Sequence, residues 1–225
     1  MEETLSFWAF SNSIVIPRLI DGMWITLKLT FISGAIGFTI GMIIALMRIS
    51  RLSFFRWIAL FYITLFRGTP LLLQILFIYF AVPTLVNINL DAFPAGILAL
   101  SLNSAAYLAE IFRAGILSIP KGQTEAANAL GLSHHQTMFK IIIPQTYRRI
   151  IPPVVNEFSS LTKETSLVSV ISLGELLYVT QRIGAKYLRP WEVYFWAALG
   201  YLIIVLLLSY AAARLERSLL LKGGV

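Results

Sequence analysis

Four apolar runs constrain this chain more than any other feature. Residues 23–47, 57–82, 92–117 and 191–213 each reach or exceed the roughly 20 residues that a helix needs to cross the hydrocarbon core of a bilayer. No water is available there to pair with backbone N–H and C=O groups, so spans of this length must bond internally, as helices do. Charged residues make up 13% of the chain and hydrophobic residues 58%, whereas a soluble domain carries about a quarter charged residues. The sequence therefore predicts an all-α membrane protein forming a single transmembrane domain.

A fifth span is expected at 150–175, where Asn156, Glu157, Lys163 and Glu164 interrupt the apolar pattern. The expected set is then 20–47, 57–82, 92–117, 150–175 and 191–213, with a polar loop at 119–146. An odd count puts the termini on opposite sides, and the distribution of Lys and Arg sets the direction. With the C-terminus inside, the cytoplasmic segments hold Arg48, Arg51, Arg56, Lys121, Lys140, Arg148, Arg149, Arg214, Arg217 and Lys222. The outer segments hold Arg18, Arg182, Lys186 and Arg189. The reading is an N-terminus outside, a C-terminus in the cytoplasm, and the 119–146 loop facing the cytoplasm.

Composition also narrows function. Glu2 and Glu3 stand where a cleavable signal would carry basic residues. With no cysteine, thiol chemistry and disulfides are excluded. The net charge of +7 is accounted for by cytoplasmic loops, so no nucleic-acid partner is expected. His134 and His135 are adjacent, about 100° apart on a helix, and lack the i, i+4 spacing of paired helical metal ligands. No metal site and no catalytic set is expected.

The loop has its own logic. Glu125, Ala126, Ala127, Ala129 and Leu130 favour a helix, with Thr124 available as its N-cap and Glu125 in its first turn. Gly131 suits the left-handed residue that ends many helices, and Ser133 with Gln136 forms a capping-box pattern for a second helix. That second helix carries Met138, Phe139, Ile141, Ile142 and Ile143 before Pro144, more apolar surface than a free loop exposes. It either packs on the ends of the chain's own spans or docks on a partner.

The spacing Glu125-Ala126-Ala127, Gly131, Ile141, Ile143, Pro144 resembles the EAA loop of permease subunits of ATP-binding-cassette importers. The strings "AEIFRAGILSIPKGQTEAANALGLS" and "FRGTPLLLQ" are similar to the polar amino acid uptake branch, and the resemblance runs from about Gly22 to Glu216. It implies the type I importer permease fold, with five transmembrane helices and a short cytoplasmic coupling helix, in a bacterial inner membrane. It also implies that Glu125, Ala126, Ala127, Leu130 and Gly131 engage a groove on an ATPase dimer. The chain itself has no Gly-x-x-x-x-Gly-Lys-Ser/Thr, so any ATP would be bound by the partner, and no cofactor is expected here. A second permease copy is expected, as a homodimer, with a heterodimer left open. An extracellular substrate-binding protein is a further expected partner. A channel working without ATP is the alternative, although it has no use for a capped coupling helix.

Ionisable groups inside a bilayer cost about 2.5–3.5 kcal/mol each on insertion scales and mark function. Lys28 and Glu110 lie nearer span ends, where long side chains can snorkel or pair. Arg67 sits beside Gly68, Thr69 and Pro70, so it either lines a path or pairs with Glu157 or a carbonyl at a kink. In "NEFSSLTKETSLVSV", Asn156, Ser159, Lys163 and Ser166 form one stripe, and Glu157, Ser160 and Glu164 the next. Lys163 and Glu164 are neighbours that cannot face each other, so they either hold the opposite charges of an amino acid or bridge to residues on other helices or across a dimer axis. The expected substrate-binding set is Lys163, Glu164, Asn103, Ser160, Arg67 and Glu157. Ser104 serves as a supporting contact, and Glu164 biases the path toward basic amino acids. The Gly37, Gly41, Ala45 seam allows close helix contact, with this chain or another.

Overall fold

The computed structural model describes residues 6–221, all helix and connecting turns with no strand among them. Glu2, Glu3 and Lys222, used above, lie outside the described residues, as does the side chain of Arg217.

The first helix, α1, runs over Phe7–Ile49. It begins well before the expected start at 20 because its early turns are needed for packing. Phe10, Val15 and Leu19 bury against Leu176, Ile183 and Val193. Phe7 stacks on Trp191 with ring centres 5.5 Å apart, and the Trp196 indole N–H donates to Ser11 Oγ at 2.8 Å. The segment expected outside the bilayer at 1–20 is therefore largely helical.

The span expected at 57–82 is two helices, α2 (Ser53–Gly68) and α3 (Leu71–Val86), meeting at 104°. Pro70 has no N–H, so the Phe66 carbonyl loses its donor one turn on, and the break exposes the Thr69 carbonyl as well. Gln74, buried on α3, supplies the missing bonds: its amide nitrogen donates to Phe66 O at 2.9 Å, Thr69 O at 3.1 Å and Thr69 Oγ1 at 2.8 Å. Asn103 adds a donation to Phe66 O at 3.3 Å and one to Gln74 Oε1 at 3.0 Å.

Asn103 belongs to α4, Ala92–Leu117, the most enclosed helix of the molecule. The Gly37 and Gly41 seam faces it. A Cβ at Gly37 would lie 3.2 Å from Ser101 O, and one at Gly41 would lie 2.9 Å from both Ala105 O and Leu108 Cβ. The seam is thus used within this chain. Gly34 likewise lies directly under the Phe158 ring, and Gly115 under Ile150.

The loop carries α5, Lys121–Ala129. Its helix starts three residues before Thr124, directly after Pro120, and no side chain caps it. The expectation of a Thr124 cap with Glu125 in the first turn is therefore corrected. The extended Pro120 already releases the chain into the helix, and Gln123 N–H bonds Pro120 O at 3.0 Å. The helix end follows expectation. Gly131 has φ +76°, its N–H bonds Asn128 O at 2.9 Å, and Leu132 N–H bonds Ala127 O at 3.1 Å, which is a Schellman ending. Ser133 and Gln136 then bond each other's backbone N–H at 3.2 and 2.9 Å, so the capping box forms.

From His134 the chain stays helical to Glu164, and this stretch is named α6. It tightens to a 3₁₀ segment over Thr165–Ile171 and turns at Ser172, which has φ +60°. Then follow α7, Leu176–Tyr187, and α8, Pro190–Leu221. By length and hydropathy α1, α4 and α8 qualify as spans, and the bent α2–α3 pair as a fourth. The 150–175 stretch fails that test because of its charged and amide side chains. Midway along α1 Thr26 Oγ1 accepts from Leu176 N–H at 3.2 Å, while Leu46 and Ile49 at its end border the His134–Phe139 turn. Thr26 and Leu46 are about 30 Å apart along the helix, one hydrocarbon thickness.

Two substitutions, each with a reference substitution, check this packing. Gly41→Val drives its side chain against α4 backbone and is expected to lower stability by about 1–3 kcal/mol. Gly122→Ala, with nothing within 4 Å of the new methyl, should leave the thermal midpoint of the detergent-solubilised protein unchanged or slightly raised. Gln74→Leu strips the part-buried Thr69 carbonyl of its donor and leaves the Phe66 carbonyl only the 3.3 Å bond from Asn103, and should cost about 1–3 kcal/mol. Exposed Leu73→Ala serves as its reference in the same melting experiment.

Candidate functional site

The polar half of α6 is what distinguishes this molecule from a packed apolar bundle. Phe158 and Leu161 turn inward against α1 and the core, which leaves Asn156 and Lys163 exposed and Glu157, Ser159, Ser160 and Glu164 half-buried. Glu157 is tied to α4, since Ser104 donates to its Oε1 at 2.8 Å. Ser104, named above as a supporting contact, thus bonds one member of the expected set. Lys163 and Glu164 form no ion pair with each other or with another residue among those described. One helical step separates them, and their side chains diverge. The Ser159 hydroxyl, buried on the same face, also has no hydrogen-bond partner.

The structure does not bring all six expected residues together. Asn103 is buried, its amide nitrogen committed to the α2–α3 break, so its placement is that of a backbone-satisfying group. Arg67 stands exposed at the end of α2 with its guanidinium 5.1 Å from the Tyr107 ring centre. The Arg67–Glu157 ion pair, one of the readings the sequence left open, does not form among the described residues. Arg67 instead opens into a groove of about 530 Å³ shared with Tyr107, Glu110, Arg149 and Pro153. There Glu110 is held by Arg113 at 2.8 Å, and Arg149 donates to Ser118 O at 2.6 Å. Lys28 lies 5.4 Å from the Trp24 ring centre and is exposed, as a snorkelling lysine would be.

Two organising side chains were not anticipated. Gln74 is one, and its signal was a lone amide four residues after Pro70 in an apolar run. Glu175 is the other. It is fully buried, its carboxylate accepts from Leu177 N–H at 2.9 Å and Tyr178 N–H at 2.7 Å, and the Tyr201 hydroxyl donates to it at 2.6 Å. It caps α7 and binds α8. Its only sequence signal was an acidic residue after Gly174.

At the other end of the molecule, α5 presents Glu125 and Ala126 to solvent, while Ala127 turns inward. Leu130 is 80% exposed beside the Gly131 turn, which no folding requirement explains. His134 and His135 are exposed, and the His135 ring rests 4.4 Å from that of Phe139. No group of three or more His, Asp or Glu able to hold a metal occurs among the described residues.

Comparison with known proteins agrees with this geometry. Residues 37–220 match the model of the family described as the binding-protein-dependent transport system inner membrane component. The chain is 44% identical to the arginine transport system permease protein ArtQ of Bacillus subtilis, over 91% of this chain and 93% of the relative. It is 43% identical to the L-cystine transport system permease protein TcyB of the same organism, over 95% and 88%. With the glutamine transport system permease protein GlnP of Escherichia coli the identity is 42%, over 90% and 93%. Among solved structures, an amino acid ABC transporter with histidines superposes with a TM-score of 0.88 at 39% identity, covering 96% of this chain and 100% of that one. The inward-facing MetNI methionine transporter shares the fold, with a TM-score of 0.74 at 21% identity, covering 92% and 98%. The chain belongs to the binding-protein-dependent transport system inner membrane component family, as a permease subunit of an amino acid importer of the ATP-binding-cassette type.

Proposed function

We propose that this permease carries basic amino acids along the polar face of α6 and is driven by an ATPase dimer docked on α5. The observation that carries the substrate reading is the pair Lys163 and Glu164, opposite charges at adjacent helical angles with no ion-pair partner among the described residues. A free amino acid brings a carboxylate to Lys163, and a cationic side chain brings a guanidinium or ammonium to Glu164. Glu157 and Ser160 continue the same face. Arg67 supports the path from the other side. Its charge stands beside a broken helix, and irregular backbone at membrane depth is tolerated where protein covers it or water reaches it. A second permease copy would enclose that path, and a homodimer accounts for it with this chain alone. The arginine permease among the relatives is compatible with a basic substrate, while the cystine and glutamine permeases show that the family also serves others.

Coupling rests on Glu125, Ala126, Ala127, Leu130 and Gly131. A helix closed at its end by a Schellman turn and followed by a capping box is stiff, as a lever between two global states must be. Leu130, exposed at its tip, is the apolar anchor for the partner, and Glu125 the contact for a basic group there. Cations clustered near this end, Arg51, Arg148 and Arg149 among them, support a cytoplasmic placement with the N-terminus outside. An extracellular binding protein would then deliver substrate to the α7 end.

Glu164→Gln is expected to reduce arginine uptake in ATP-loaded proteoliposomes about tenfold, the equivalent of one charge-assisted contact. Glutamine competition should change little, and equal arginine uptake by mutant and parent would refute the role. Leu130→Asp should abolish ATP-driven uptake and co-purification of the ATPase, with thermal stability of the permease retained. Loss of an anchor worth about 1.5–3 kcal/mol explains that outcome.

A further inference from the structure

A second charged feature lies at the opposite end from α5. Arg182 and Lys186 are one helical turn apart on α7, both exposed, and Arg18 approaches from α1. The three line a single groove of about 630 Å³ between the two helices, together with Tyr178, Val179 and Ile183. None of the three forms an ion pair among the described residues. Asp21, exposed one turn from Arg18, forms no ion pair with it. The neighbouring Arg189 is already engaged by Glu192 at 2.6 Å and lies 4.3 Å from the Phe10 ring centre.

Three clustered cations repel one another, and on the outer side they also oppose the orientation that the remaining cations favour. The groove is otherwise lined by apolar side chains. Ile20 and Trp24, just after Arg18 in the chain, and Leu188 and Trp191, just after Lys186, are exposed, the composition of a membrane interface. A ligand matching this surface has a compact negative charge joined to an apolar body. We propose that the α1–α7 groove binds the phosphodiester headgroup of an anionic phospholipid, with its acyl chain following the apolar lining toward the bilayer. Arg182 and Lys186 hold the phosphate from α7 while Arg18 holds it from α1, so the lipid clamps the two helices together. The assignment is independent of which amino acid is carried.

The test is native mass spectrometry of the full-length permease in detergent with equal amounts of phosphatidylglycerol and phosphatidylcholine. The parent is expected to retain phosphatidylglycerol preferentially. Arg182→Gln with Lys186→Gln should lower that retention on the order of tenfold, and Arg18→Gln alone by a smaller factor. Should the double variant fail to fold, Arg18→Gln carries the test. An Arg51→Gln, Arg148→Gln pair at the other end should leave retention unchanged, and an equal loss there means general charge attraction and overturns the site. Displacement of the lipid by excess inorganic phosphate would overturn the part played by the apolar lining. Unchanged retention in the α7 variants overturns the proposal.

Discussion

Close contact between α1 and α4 is the constraint on which the rest depends. Inside a bilayer the apolar side chains of neighbouring helices gain nothing from leaving lipid, so association rests on van der Waals fit and polar bonds. Gly37 and Gly41 let α1 lie against the backbone of α4 at Ser101 and Ala105. With α4 fixed, its other faces acquire set positions. Asn103 reaches the break between α2 and α3, and Ser104 reaches Glu157 on α6. One helix therefore carries both the bonds that stabilise a broken segment and the bond that orients the polar face.

The charged groups divide by whether the chain itself satisfies them. Glu110 has Arg113, Glu192 has Arg189, and Glu175 has two backbone amides and a tyrosine. These hold structure. Lys163, Glu164 and Arg67 have no such carboxylate or cation partner among the described residues. Leaving them so at membrane depth is costly unless water or a ligand completes them, and that is the physical ground for placing the path along α6. The α5 end follows a similar division. Ala127 faces inward and Leu130 faces out, so α5 is attached by one side and available on the other.

Sequence periodicity and length revealed the long apolar helices, and local turn chemistry revealed the Gly131 ending and the Ser133 cap. Those features depend on neighbours within a few residues, so a linear reading reaches them. The α2–α3 corner was legible only as a kink. Its 104° angle depends on Gln74 and Asn103 satisfying the freed carbonyls, and Asn103 lies far along the chain. The same distance concealed the Ser11–Trp196 bond that draws residues 7–15 into α1. Thr124 failed as a cap because Pro120 had already set the helix start, a choice between two adjacent signals that propensity alone does not rank. At the site, the spacing of Glu157, Ser160, Lys163 and Glu164 was readable as a stripe. Whether Asn103 joined them depended on tertiary contacts.

The central claim is that water and substrate reach the polar face of α6. The chain has no native cysteine, so Ser160→Cys is a clean reporter there, with Phe61→Cys on an exposed apolar surface as its reference. Labelling by a membrane-impermeant thiol reagent should modify the cysteine at 160, slow when arginine is added, and leave the one at 61 untouched. A cysteine at 160 that stays unlabelled in every nucleotide state, or that labels at the same rate with and without amino acid, would contradict the account.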